Sequence, residues 1–170
     1  MTRDQRIVAV GAASGVLVMV ASMWLLSRAL PVPAGLETVG DRLGYALSWD
    51  AVAALPFLAM IIAIGNARAL GPAIDPTLGA ESRAMQINGR VADNTLQQLV
   101  LFVIGSLALA ANLPPAQMSV IAAAAIVFTV ARIVFWIGYR IHPLYRAPGF
   151  SSTAYLNIGL LTAALWLGFR

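Results

Sequence analysis

Four polar residues share one face of a segment that runs straight into a membrane-length apolar stretch. At about 100° per residue, Arg83, Arg90, Asn94 and Gln97 fall at about 0°, −20°, +20° and −40° around a helix. From Asn94 to Ala131 the chain then carries no charged residue. Arginines grip carboxylates in a two-pronged geometry and primary amides orient them. The face therefore suits an anionic, water-soluble ligand that reaches into the membrane edge. The same pattern also suits a plainer role, with Arg83 and Arg90 extended to the interface and Asn94 and Gln97 bonding between helices. The sequence leaves both readings open.

Arg132 and Tyr139 are seven residues apart and share a second face. Arg132 lies about two turns inside a helix end marked by Tyr139 to Ile141, deep enough to need a partner. Substrate, backbone carbonyls and Asp93 are the candidates. Downstream, the turn from Tyr139 to Ser152 carries Arg146 among hydroxyls above the start of another span. Such a corner can stabilise an anion, or Arg140 and Arg146 can simply hold headgroups there. His142, beside Pro143, reads as a loop residue. With no cysteine and one histidine, thiolate sites, a cysteine nucleophile and a histidine-built metal centre are all implausible, so no metal is expected.

The elements that must position these groups are membrane spans. Of the 170 residues, 60% are hydrophobic and only 11% charged, where soluble domains carry about 25% charged. Charge-free stretches mark five spans, near 7–27, 51–67, 95–112, 118–139 and 153–169. The first is too long for the core of a secretion signal and is read as a retained span. Helix ends follow from local chemistry. Asp75 with Pro76, or else Ser82, starts the third helix; prolines between Asn112 and Gln117 make a tight hairpin; Pro143 ends the fourth; Ser151 or Ser152 caps the fifth. Gly11 and Gly15 form a GxxxG pattern that favours close helix packing.

Topology follows from arginine, since lysine is absent. Arg3, Arg6, Arg68, Arg83, Arg90, Arg140 and Arg146 fall on one side, and only Arg28, Arg42 and Arg170 on the other. That bias places the amino terminus and the two arginine-rich loops in the cytoplasm, with Trp24 and Trp49 at the outer interface. No basic run interleaved with aromatics occurs, which sets nucleic acid aside. The lipid bilayer is the partner that composition implies.

Asn94-Thr-Leu-Gln97 opening a span, then Ala131-Arg132-Ile-Val-Phe-Trp-Ile-Gly-Tyr139 and a Gly149-Phe150 turn, resembles the MAPEG family of membrane-associated proteins in eicosanoid and glutathione metabolism. The resemblance covers roughly Ala51 to Arg170 and is closest to a bacterial-type member, placed in the inner or plasma membrane. It implies an all-α polytopic bundle, with a four-helix MAPEG-like domain at 51–170. Residues 1–50 would add an amino-terminal span and an extracytoplasmic connection. It further implies a homotrimer that binds glutathione between protomers near the cytoplasmic surface and presents its thiol to a hydrophobic small-molecule substrate, as a transferase or peroxidase does. On that resemblance Arg90, Asn94 and Tyr139 are expected to bind the cofactor, joined by Arg83 and Gln97 from the same polar face, and Arg132 and Arg146 to be catalytic.

Three positions depart from the family pattern. Gln97 stands where a glutamate usually receives the ligand's ammonium, Asp93 where eicosanoid-type members carry an arginine, and Phe135 where some carry a histidine. A neutral amide holds an ammonium less well, and Asp93 repels a carboxylate. The departures argue against an eicosanoid synthase and leave the bundle intact. They also motivate a second reading, a non-catalytic bundle that binds a lipid or a partner membrane protein. A transporter is a poor fit, since there is no visible inverted repeat and no paired intramembrane carboxylate.

Overall fold

The computed structural model describes residues 1–170, apart from the side chain of Pro76. Its long helices are α1 (Arg3–Ala29), α2 (Val39–Ala69), α3 (Arg83–Asn112), α4 (Ser119–Ile141) and α5 (Ala147–Gly168). All five are long and apolar enough to cross a membrane, and no strand occurs among the described residues. The all-α bundle with five spans is thus the fold.

Caps, rather than the limits of the apolar runs, decide where the helices begin. At α1, Thr2 Oγ1 accepts from Gln5 N at 3.2 Å while Gln5 Oε1 accepts from Thr2 N at 2.9 Å. Thr38 and Asp41 make the same reciprocal pair at the start of α2. Residues 39–50, expected as part of an extracytoplasmic connection, are therefore the opening turns of α2, and a division at residues 50 and 51 cuts a continuous helix. Of the two starts open for the third helix, Ser82 is the cap of α3. Asp75 instead caps the short 3-10 turn Pro76–Leu78 by accepting from Thr77 N at 2.8 Å.

The fifth helix corrects another expectation. It starts at Ala147 with Pro148 in its first turn, so neither Ser151 nor Ser152 is a cap. Both lie inside α5 and donate to the backbone of α1: Ser151 Oγ to Ala12 O at 3.0 Å, and Ser152 Oγ to Gly15 O at 2.8 Å. The close approach expected of Gly11 and Gly15 is realised against α5. A Cβ at Gly15 would run into the Pro148 carbonyl and the Ser151 hydroxyl.

Helix α2 packs on α3 and α4, α3 packs on α4 and α5, and α1 lies against α4 and α5. The core centres on Phe102 and Phe128, with ring centroids 4.6 Å apart. A smaller apolar cluster of Met60, Val91 and Phe135 underlies the site described below. Polar ties are sparse and interhelical, as expected where no water competes. Asn157 Nδ2 donates to Gln98 O and Oε1, both at 2.9 Å, joining α5 to α3. Pro56 has no N–H for the Val52 carbonyl, and Thr129 Oγ1 of α4 reaches that oxygen at 3.4 Å. At the opposite end Arg42 donates to Ala110 O and Ala111 O, satisfying carbonyls at the carboxyl end of α3.

Candidate functional site

A cavity of about 520 Å³ opens where the amino ends of α1, α3 and α5 meet the carboxyl end of α4. This is the end of the bundle that bears seven of the arginines. Helix α3 contributes Arg90 and Asn94, α4 contributes Phe135 and Tyr139, and the 3-10 turn Pro143–Arg146 contributes Arg146. Apolar side chains of α1 and α5 complete the wall. The volume lies within the range of about 300–1,000 Å³ common for small-molecule sites.

Electrostatically the cavity is cationic. Arg90 makes no hydrogen bond or ion pair among the described residues. Arg146 spends one donor on Pro143 O at 3.3 Å, and its guanidinium sits 5.4 Å over the Tyr139 ring. The ion pair Arg68–Glu81, at 2.7 Å, lies in the α2–α3 connection, and no acid lines the cavity. Two arginines without counter-ions, partly walled by apolar side chains, have the charge to hold an anion.

Arg132 does not reach this surface. It is fully buried, just beneath the cavity, with its guanidinium 4.0 Å over the Phe135 ring. Its partners are all neutral: Nη1 donates to Thr153 Oγ1 at 3.0 Å, and Nη2 to Asn94 Oδ1 at 3.1 Å and Thr95 Oγ1 at 3.0 Å. The candidate partner Asp93 is exposed and takes no part. Each threonine gives its own proton to its helix backbone, Thr95 to Val91 O and Thr153 to Gly149 O, so only oxygen lone pairs face the guanidinium. A guanidinium has no acceptor, and this fixes Asn94 with its carbonyl oxygen inward and its amide Nδ2 toward the cavity. Gly149 makes the arrangement possible. A Cβ there would stand 2.5 Å from Ala131 O and from Phe135 N, holding α5 away from α4.

The structure thus gathers Arg90, Asn94, Tyr139 and Arg146 around one cavity and sets Arg132 behind them, hydrogen-bonded to Asn94. It does not bring in Arg83 or Gln97. Arg83 is exposed two turns before Arg90, and Gln97 points outward with Asp93 from the same helix. The interhelical bonding expected of Asn94 and Gln97 falls to Asn94, Gln98 and Asn88, the last accepting from Trp136 Nε1 at 2.9 Å. Thr95, Thr153 and the α1 wall had no sequence signal. They become visible only through packing between distant segments.

Fold and site together define a helical membrane bundle with a cationic cavity at one end. The sequence model of the MAPEG family matches residues 45–166, and the chain belongs to that family. It is a multi-pass membrane protein. No curated protein and no solved structure matches it significantly.

Proposed function

We propose that the protein is a glutathione-dependent transferase or peroxidase that acts on lipophilic substrates at the cytoplasmic face of its membrane. The observation that carries this reading is the pair Arg90 and Arg146, both without counter-ions, on a cavity otherwise walled largely by apolar side chains. Glutathione, when bound, would supply a thiol nucleophile. Arg90 and Asn94 Nδ2 would hold its carboxylates and peptide carbonyls. Arg146 would favour the ionised thiol, and Tyr139 would keep that guanidinium in place through its ring face. Phe135 and Phe150 would keep water from the reacting side, where the lipophilic partner enters from the bilayer. The cytoplasmic assignment rests on the arginine bias toward the cavity end.

Of the three departures from the family pattern, Asp93 and Gln97 lie outside the cavity and Phe135 lines it. One feature favours the second reading, a bundle that binds a lipid or a partner protein without turnover: no acid in the cavity meets an ammonium group. Melting of the detergent-purified protein separates the two. A ligand at about 100 times its dissociation constant adds about 2.7 kcal/mol. Millimolar glutathione is therefore expected to raise the melting temperature, and Arg90→Ala to abolish the rise. A cooperative melt that glutathione leaves unmoved would favour the non-catalytic bundle.

Homotrimeric assembly belongs to the same proposal and is supported by family membership. Chemical cross-linking in mild detergent is expected to give a ladder ending at three chains. A product that stops at the monomer would remove the trimer.

A further inference from the structure

Helix α1 lies outside residues 45–166, yet it walls the cavity on which Arg90 and Arg146 stand. Val8 and Ala12 both face that space. The helix is not loosely attached there. The hydroxyl of Ser151 donates to the carbonyl of Ala12 itself, and Ser152 donates to Gly15 O three residues on. These bonds fix the rotation and height of α1 against α5, and so fix which of its side chains look inward. Ala13, the next residue, is exposed and lines none of the cavities described.

We infer that α1 is a specificity-determining wall of the anion site, with Ala12 setting the room available to whatever lies over Arg90 and Arg146. A methyl group at this position leaves the cavity open, and a larger side chain, held in register by the Ser151 bond, has nowhere to go but into it. Val8 and Ala12 of α1 stand across the cavity from Arg90 and Asn94 of α3 and Arg146 of the 3-10 turn. The inference deepens the glutathione reading but does not depend on the identity of the anion.

The chain has no cysteine, so single thiols can report on this wall in the full-length protein. Ala12→Cys and Ala13→Cys sit at one depth and differ in the direction they face. Each is treated with a small methanethiosulfonate bearing either a sulfonate or a trimethylammonium group. The sulfonate reagent is expected to modify Ala12→Cys at least about tenfold faster than the cationic one. That preference is expected to weaken in Arg90→Ala, to vanish in the double variant Arg90→Ala with Arg146→Ala, and to be absent at Ala13→Cys. Equal behaviour at the two positions, or a preference that survives the loss of both arginines, would overturn the inference. As a test of room, Ala12→Phe is expected to lose the glutathione-induced melting shift that Ala13→Phe retains. A full shift in Ala12→Phe would also overturn it. If glutathione shifts no variant, wild type included, while the labelling pattern holds, the glutathione reading fails and the α1 wall stands.

Discussion

Arg146→Ala is expected to slow thiol conjugation at pH 7 by about 30-fold and to move its pH profile upward. A free thiol with a pKa near 8.5 is only about 3% ionised at pH 7, so a site that ionises it fully gains about 30-fold from population alone, about 2 kcal/mol. The sign follows from the arginine. A cation lowers the thiol pKa in the complex, so the rate is retained down to that lowered pKa and falls below it. Without the cation, the rising limb returns to about 8.5, the ordinary thiol value. Wild type and variant should therefore converge near pH 9 and diverge toward pH 6. Arg146 is exposed and makes a single backbone hydrogen bond, so its loss should leave the melting temperature nearly unchanged. A variant with the same pH profile as wild type would remove Arg146 from the chemistry.

The second large effect separates positioning from stability. Arg132→Met is expected to melt at or above the wild-type temperature while losing the response to glutathione. Burying a guanidinium without a countercharge is costly, and apolar replacements of buried ionic groups of similar volume are often neutral or stabilising by about 1–4 kcal/mol. The groups left behind tolerate the change, because Thr95 and Thr153 keep their bonds to backbone carbonyls. What is lost is the donor that holds the Asn94 oxygen inward, so the amide no longer presents Nδ2 to the cavity. Asn94→Ala should then abolish the glutathione response in wild type and change nothing further in Arg132→Met. A variant that unfolds at room temperature would instead make Arg132 a structural keystone. One that melts normally and still responds to glutathione would free Asn94 from its control.

The spans were legible because length and charge-free composition are direct consequences of the bilayer, and the five helices follow them. Part of the site was legible for a related reason. Arg90, Asn94 and Tyr139 stand on single helices, where angular position follows from spacing alone. The same spacing over-reached at the edges of the stripe. Arg83 lies about 10 Å along the axis from Arg90, at about 1.5 Å per residue, and falls beyond the cavity. Gln97 turns about 60° from Asn94 and faces out of the chain. Ser151 and Ser152 misled because a serine near a helix start looks the same whether it caps that helix or reaches a neighbour's carbonyl. Thr95, Thr153 and Ala12 carried no signal, being ordinary residues of apolar helices that acquire a role from what packs beside them.

The seam between α1 and α5 also sets an order of events during synthesis. Its hydrogen bonds join residues 139 and 137 positions apart, and the other main partner of α1, α4, is made only shortly before α5. The first span to leave the ribosome is therefore the last to find its place. Until residues 147–168 emerge, Gly11, Gly15 and the backbone carbonyls that the serines will claim lack the helix they pack against. A nascent chain stalled before residue 147 would hold four of the five spans, with the first helix left to α4 alone.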